Sequence, residues 1–291
     1  MNLWQEFRQP TSITEAIEDL VSAPKPVIPI AGGSDLLLDI RQGRHAPVHT
    51  LVDLKAIPEL NLIKLQGDEL FIGASAAINR ILNNDLVNHH AQALIEACNL
   101  IAGPQVRNTA TLGGNVAHAL PAADGTIALV ALDAEAEVAN LDGLQRMAFT
   151  GLFLGPGKSA IDKSCELITG FYVPIVKAGQ ASCFKRIMRP QGVALPILNC
   201  AVWVHRSGET ITDVHIAIGP GGPTPFRATQ TETLLRGEVF STERLDQAIE
   251  QLLNEAKFRT SPRRATAEYR QHIVQGLFRE TFIEAWQRAV R

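Results

Sequence analysis

A glycine-rich stretch, residues 101–125, carries the residue types best suited to hold a ligand. Its sequence is I-A-G-P-Q-V-R-N-T-A-T-L-G-G-N-V-A-H-A-L-P-A-A-D-G. At its centre, residues 111–115 place a hydroxyl and an amide side chain around two glycines, which lets a backbone approach a ligand and aim N–H groups at it. Arg107 is its single arginine, and it has no lysine. We therefore expect backbone donors to bind a phosphate group here; a tight turn between two buried strands is the alternative.

A second loop of the same kind lies earlier in the chain. The sequence A-G-G-S-D-L at residues 31–36 follows the apolar run of residues 27–30 and precedes Leu37-Leu38-Asp39-Ile40. This order predicts a short buried strand, a Gly-Gly-Ser turn and a first turn of helix, a second loop suited to phosphate. Two such loops could clamp one diphosphate.

The sequence contains no established catalytic or nucleotide-binding motif. Gly151 and Gly157 enclose five residues before Lys158, whereas a nucleotide P-loop needs four. Neither G-x-G-x-x-G, nor G-x-S-x-G, nor H-E-x-x-H occurs. The four cysteines lie far apart without C-x-x-C spacing, so we expect reduced thiols and neither a zinc site nor an iron–sulfur cluster. No catalytic residue and no metal ligand is assigned.

Length and composition restrict the function classes. The length of 291 residues predicts two or three compact units. With 46% apolar and 20% charged residues, the composition is that of an ordinary globular protein. A net charge of -3 without any polybasic run argues against nucleic-acid binding. The first residues lack the features of a secretory signal, and no apolar run could span a bilayer, so we expect a cytoplasmic protein without membrane insertion.

Apolar periodicity predicts the elements that must position the two loops. Residues 12–23 are predicted as a helix with a capping box formed by Ser12 and Glu15. Between this helix and the glycine-rich stretch, the sequence predicts a strand at 49–54, a β-hairpin at 62–74 and helices at 76–82 and 86–100. After that stretch follow a helix at 126–131, a hairpin at 135–149 that turns at Asp142-Gly143, and a strand at 166–174.

An exposed linker at residues 176–180 suggests a domain boundary. Beyond it, strands are predicted at 182–186, 197–205 and 210–218, followed by helices at 231–235, 241–258 and 266–289. Helices interrupt strands and hairpins irregularly, which indicates an α+β fold rather than a βαβ series.

The two glycine-rich loops carry a specific resemblance. A-G-G-S-D-L, then I-A-G-P-Q-V-R-N-T-A-T-L-G-G-N and P-A-A-D, resemble the FAD-binding medium subunit of molybdenum hydroxylases. That family includes carbon monoxide dehydrogenase and the flavin portion of xanthine dehydrogenase. The resemblance extends from Phe7 to the Tyr269-Arg270 pair. The long central motif is specific, whereas A-G-G-S-D alone would be weak.

The resemblance implies an α+β fold with two domains. Residues 1–176 would form a two-lobed FAD-binding domain of the PCMH type, which is similar to vanillyl-alcohol oxidase, with subdomains at approximately 1–58 and 59–176. Residues 180–291 would form a smaller α+β domain of the carbon monoxide dehydrogenase flavoprotein type, in which helices cover a sheet.

The resemblance also implies which residues bind FAD. Both loops would flank its diphosphate, Asp124 would hydrogen-bond near the adenosine, and Ile101 would pack near the cofactor. Ile168 and Lys185 match positions on adjoining strands, although Lys185 could equally be an ordinary surface lysine. His118 is a candidate flavin contact, with a packed, hydrogen-bonded histidine as the alternative. The implied cofactor-binding residues are Ala31, Gly32, Gly33, Ser34, Asp35, Leu36, Ile101, Thr111, Gly113, Gly114, Asn115, Asp124, Ile168 and Lys185.

The implied function is electron transfer within a complex. A large molybdopterin-containing subunit would oxidise the substrate, and a small subunit with two 2Fe–2S clusters would deliver electrons to FAD on this chain. FAD would pass them to NAD, oxygen, a quinone or a protein; the sequence indicates neither this acceptor nor the substrate. The chain would thus be an oxidoreductase subunit of a hetero-oligomer, such as a dimer of heterotrimers. Flavin supplies its own redox chemistry, which suits a chain without evident catalytic residues.

Two other hypotheses remain open. The first is a self-sufficient flavoenzyme of the same cofactor fold, similar to the enolpyruvyl-UDP-sugar reductases, with a substrate site in its C-terminal unit. The second is a scaffold subunit that has lost FAD. The intact glycines and Asn115 argue against the scaffold, because such a subunit would not need close-approach positions.

Overall fold

The amino-terminal unit is built on a three-stranded parallel sheet. The computed structural model describes residues 3–189, 195–262 and 264–290. The elements of this unit are β1 (Glu6–Arg8), α1 (Ile13–Ser22), β2 (Val27–Ile30), α2 (Leu36–Arg41) and β3 (Thr50–Asp53). The strand order is β1-β3-β2. The helix predicted for residues 12–23, the strand before the first loop, the helical turn after it and the strand predicted at 49–54 are confirmed.

The amphipathic pattern of α1 explains how it covers this sheet. Ala16, Ile17 and Leu20 are buried and pack in one apolar cluster with Val52 of β3. The Ser12 hydroxyl accepts the N–H of Glu15, as the capping box predicts. The Glu15 carboxylate accepts the N–H of Thr11, 2.7 Å away, and the N–H of Ser12 also acts on it.

The second unit surrounds the central stretch with an antiparallel sheet and six short helices. Its strands are β4 (Ile63–Gln66), β5 (Glu69–Gly73), β6 (Glu135–Asn140), β7 (Gly143–Ala148), β8 (Phe153–Gly155), β9 (Lys158–Ser159) and β10 (Leu167–Pro174). Its helices are α3 (Ile78–Leu82), α4 (Asp85–His90), α5 (Gln92–Leu100), α6 (Pro104–Arg107), α7 (Leu112–Ala117) and α8 (Asp124–Ala131). The main sheet has the order β4-β5-β10-β6-β7, while β8 and β9 form a separate small hairpin.

Most of the predicted elements of this unit are confirmed. The hairpins turn at Gly67 and at Asp142-Gly143, and both glycines have positive φ. The helix predicted for residues 86–100 is broken into α4 and α5 at Ala91, whose φ and ψ are -137° and 56°. Apolar spacing continues across this break, so periodicity alone does not show it.

The carboxy-terminal unit is a four-stranded antiparallel sheet with helices. Its elements are β11 (Gln180–Met188), β12 (Pro196–Ser207), β13 (Thr210–Gly219), β14 (Phe226–Arg227), α9 (Thr229–Leu235), α10 (Thr242–Glu255) and α11 (Ala267–Arg288). The strand order is β11-β12-β13-β14. The strands and helices predicted for this half are confirmed, with strands that extend further than predicted.

This sheet is covered on both faces. On the face toward α10 and α11, sheet residues such as Val202 and helix residues such as Phe278 form one core. On the other side, Phe184, Ala201 and Ala217 belong to the core of the second unit, against α5 and α8. Because the units share this core, the domain boundary at residues 176–180 stays a prediction. In the described ranges, no helix is long and apolar enough to cross a membrane.

Candidate functional site

Gly32 brings the first loop into contact with the central stretch. A Cβ atom at Gly32 would lie 2.2 Å from the carbonyl oxygen of Thr109 and 2.8 Å from Cα of Ala110, so any side chain there would collide with backbone. Gly33 continues the loop with a φ of 66°, a conformation that favours glycine. The structure therefore places the two predicted loops side by side, as a clamp on one ligand requires.

The unused backbone donors belong to the first loop. The N–H groups of residues 32–35 donate to no acceptor within the described part of the chain. In the central stretch, by contrast, Gly113 donates to the carbonyl of Ala74 at 2.8 Å and Gly114 donates to the hydroxyl of Thr111 at 3.1 Å. The expectation that the two central glycines aim N–H groups at a ligand is therefore wrong.

The central glycines lie in the first turn of a helix. Thr111 is the N-cap of α7, with extended backbone and its hydroxyl on the N–H of Gly114. A Cβ atom at Gly113 would lie 2.6 Å from the carbonyl oxygen of Ala74, whereas one at Gly114 would approach only the Thr111 hydroxyl, at 3.1 Å. Only Gly113 is required for close backbone packing.

This difference predicts separate outcomes for two alanine variants. Gly113→Ala should lower the free energy of unfolding by about 1–3 kcal/mol, because α7 must move away from Ala74. Gly114→Ala should stay within about 1 kcal/mol of wild type, since alanine favours a helix and the nearby hydroxyl is its single close neighbour. Urea unfolding of both variants measures the difference. Equal losses would contradict the packing assigned to Gly113.

Asn115 fixes α7 against α8. Its Oδ1 atom accepts the backbone N–H of Thr126 at 3.2 Å and lies 3.4 Å from the Thr126 hydroxyl. Gly125 makes room for this contact, because a Cβ atom there would lie 3.0 Å from Asn115 Oδ1. Asn115 thus satisfies a donor in the first turn of α8 and orients the two helices.

Asp124 lies in a buried polar cluster that connects α8 to the carboxy-terminal sheet. Its Oδ2 atom is 2.5 Å from the guanidinium of Arg186 on β11, and its Oδ1 atom accepts the amide of Asn199 on β12 at 2.8 Å. Burial raises the pKa of Asp124, while Arg186 and Asn199 oppose that rise. Both carboxylate oxygens have protein partners, so the adenosine contact of Asp124 stays a prediction.

The Arg186 and Asn199 partners were not assigned from the sequence. They lie 62 and 75 residues from Asp124, and no local motif connects them. The available signal is the charge of Arg186 inside a strand whose neighbour Phe184 is buried. A buried arginine needs an anionic partner, which this pattern could have indicated.

A histidine and a carboxylate connect the two loops electrostatically. His118, which follows α7, places its Nδ1 atom 3.8 Å from Oδ2 of Asp35, the N-cap of α2. The Asp35 carboxylate raises the pKa of His118, and His118 in turn lowers the pKa of Asp35. The two side chains are 36% and 65% exposed, so solvent and a ligand can reach them.

Arg107 holds the backbone of the turn after α5. Its Nη1 atom donates to the carbonyl of Asn99 at 2.6 Å and lies 3.3 Å from the carbonyl oxygen of Ile101. This clamp holds the turn after α5, where Ala102 has a φ of 45°. Ile101 is half-buried at the end of α5 and packs against the core of the second unit.

Comparison with known proteins identifies this arrangement. Residues 4–176 match the family described as "FAD binding domain in molybdopterin dehydrogenase", and residues 182–285 match "CO dehydrogenase flavoprotein C-terminal domain". The chain belongs to this FAD-binding family. The resemblance deduced from the loops, the α+β fold and the cofactor are thereby confirmed, and the protein is a subunit of the oxidoreductase type.

Individual relatives align with almost the whole length of this chain. Nicotine 6-hydroxylase medium subunit from Paenarthrobacter nicotinovorans is 32% identical, with 97% of each chain covered. Xanthine dehydrogenase FAD-binding subunit from Escherichia coli O157:H7 is 27% identical, covering 96% of this chain and 95% of its own. Among solved structures, carbon monoxide dehydrogenase from Hydrogenophaga pseudoflava superposes with a TM-score of 0.92, at 28% identity and 98% coverage of both chains.

The residues of the two loops fit the FAD expected in this family. Gly32 lets the two loops touch through their backbones, and residues 32–35 hold N–H groups without a described acceptor. Backbone N–H groups of a loop that leads into a helix, as here between Gly33 and α2, can bind an anion. A diphosphate is an anion of this kind. His118 adds a cation when it is protonated.

Ile168 and Lys185 lie on separate strands of the FAD-binding protein. Ile168 is buried in β10, next to an irregularity in its pairing with β6. Lys185 is half-buried in β11, with its Nζ atom 2.7 Å from Glu284 of α11. Neighbouring residues of a strand face opposite sides, so Lys185 faces away from the Asp124–Arg186 pair. Cofactor contacts of Ile168 and Lys185 stay predictions.

One group of side chains has the spacing of metal ligands. Glu96, Cys183 and Glu284 place ligand atoms within 4.8 Å of one another. Arg288 already pairs with both glutamates, and Lys185 pairs with Glu284. Burial raises the pKa of the Cys183 thiol, which therefore keeps its proton. The group is explained by ion pairs that join α5, β11 and α11.

Proposed function

We propose that this chain is the FAD-binding electron-transfer subunit of a molybdenum hydroxylase complex. It would receive electrons from 2Fe–2S clusters of a partner subunit and pass them through FAD to a terminal acceptor. The observation that carries the proposal is the backbone contact at Gly32, which places the unused N–H groups of the first loop against the central stretch. FAD supplies the redox chemistry when it is bound.

The site residues have roles in binding and orientation. The first loop would donate N–H groups to the diphosphate. Thr111 caps α7, Gly113 bonds it to Ala74, and Asn115 bonds it to α8. None of these roles moves a substrate proton or forms a bond to a substrate. This division supports a chain that holds a redox cofactor and leaves substrate oxidation to another subunit.

The partners proposed are a large molybdopterin-containing subunit and a small 2Fe–2S subunit, in a dimer of heterotrimers. Relatives named medium chain or medium subunit support a multi-subunit complex. Exposed apolar side chains on elements around the site also support an interface: Leu38 on α2, Val106 on α6 and Leu154 on the β8–β9 hairpin. That hairpin contacts the end of the central stretch through the N–H of Gly157 and the carbonyl of Ala119. We further propose a cytoplasmic location.

The test is co-expression with the two proposed partner subunits, compared with the chain expressed alone. We expect a stable complex with the flavin absorption band, and an isolated chain that binds FAD but hydroxylates no purine, aldehyde or aromatic substrate. Turnover by the isolated chain with FAD alone would favour the self-sufficient flavoenzyme. A complex in which this chain never retains flavin after gentle purification would favour the scaffold.

A further inference from the structure

The Asp35–His118 pair joins the two loops at the place where the proposed diphosphate would bind. Asp35 belongs to the run of unused N–H donors, and His118 follows the helix that carries Thr111 and Asn115. The Nδ1–Oδ2 distance of 3.8 Å is that of an ion pair rather than a close hydrogen bond. Each side chain is partly exposed toward solvent, so the pair can respond to a ligand.

Among the charged groups around this pair, His118 is the one whose protonation sets the net charge of the pair. Asp35 and Asp39 of α2 are the carboxylates that act on His118, and Lys163 is the cation that acts on it. Arg107 is engaged with backbone carbonyls, and Asp39 already pairs with Arg44 at 3.3 Å. When His118 is neutral, the Asp35 carboxylate stands uncompensated beside donors meant for an anion.

We propose that protonated His118 cancels the charge of Asp35 and so permits tight binding of the FAD diphosphate, which makes flavin affinity fall when His118 loses its proton. The inference rests on the proposed function, since it concerns the same cofactor. His118 acts here as a positioning and charge-compensating residue. No redox step is assigned to it.

The direction of the pH effect follows from linkage. The Asp35 carboxylate raises the pKa of His118 above its ordinary value of 6.5 already without ligand. The added negative charge of the diphosphate favours the protonated form further, so the complex holds its proton to higher pH than the apoprotein. Affinity is therefore highest below the pKa of His118 in the apoprotein and falls as pH rises through it. A further rise of about one unit on binding corresponds to about a tenfold fall in affinity.

The experiment titrates FAD into the full chain, freed of flavin, from about pH 5.5 to about pH 9, with quenching of flavin fluorescence as the readout. Wild type should lose about tenfold in affinity across the range. His118→Asn should bind at one pH-independent level, close to that of wild type at high pH. Asp35→Asn should move the transition to lower pH and bind FAD more tightly than wild type at high pH.

His45→Gln is the matched control, because His45 is, like His118, partly exposed, and its Nδ1 atom contacts the carbonyl of its neighbour Ala46 rather than a carboxylate. It should keep the wild-type profile. Melting curves of the apo variants establish that each is folded. A flat wild-type profile with FAD bound throughout would overturn this inference alone. Failure of wild type to bind FAD at any pH would overturn the proposed function together with it.

Discussion

Gly32→Ala should abolish most of the flavin affinity of this chain. The added methyl group would lie 2.2 Å from the carbonyl oxygen of Thr109, with backbone atoms of Thr109 and Ala110 as its next neighbours. Backbone cannot rotate away as a flexible side chain can, so the two loops must separate. We expect a loss of at least about tenfold in FAD affinity, since displacement of one hydrogen-bonded contact suffices for it.

The same variant should lose about 1–3 kcal/mol of folding free energy, as overpacked sites do. Equilibrium titration of FAD into the folded variant, with urea unfolding of the apoprotein, separates the two effects. Gly151→Ala is the control, because a Cβ atom there meets only the Met147 side chain, at the ordinary distance of 3.6 Å. Wild-type flavin affinity in folded Gly32→Ala protein would remove the contact between the loops from the proposed site.

The sequence predicted the secondary structure well because most elements carry a local signal. The apolar face of α1, its Ser12 cap and the hairpin turn at Gly67 are all encoded within a few neighbouring residues. The break at Ala91 is different, since the apolar spacing of α4 continues into α5. A helix break without a change of apolar pattern depends on the packing of the whole unit.

The site was predicted in part, for a physical reason visible at its glycines. Composition identified both loops, and their contact is a consequence of Gly32. Which loop has free N–H groups depends on the carbonyl of Ala74, which binds the N–H of Gly113 from a different strand end. Sequence spacing contains no information on that hydrogen bond. Among the described residues, the N–H groups without an acceptor therefore belong to residues 32–35 and not to Gly113 and Gly114.

The other large expected effect is on stability, because removal of Asp124 would leave the buried Arg186 without its ion-pair partner. The side chain of Arg186 is 5% exposed, and Asp124 is its ion-pair partner at 2.5 Å. Asp124→Ala would leave a buried guanidinium without a compensating charge. We expect a loss of about 3–5 kcal/mol in the free energy of unfolding, typical of breaking a buried pair by removing one partner. Thermal and urea unfolding measure it.

A double variant separates the cost of the unpaired Arg186 charge from the cost of the lost side-chain packing. Asp124→Ala combined with Arg186→Met removes both charges, and it should be clearly more stable than Asp124→Ala alone, because no unpaired ion remains in the core. Asp68→Ala serves as the control for an exposed pair: Asp68 contacts Lys177 at 3.4 Å with both side chains largely in solvent, so its loss should change stability little.

Because the Asp124–Arg186 pair joins α8 to β11, its energy is also a measure of how firmly the FAD-binding unit and the carboxy-terminal sheet are held together. Equal stability of the single and double variants would show that Arg186 finds water or another partner when Asp124 is absent, and that this connection is weak.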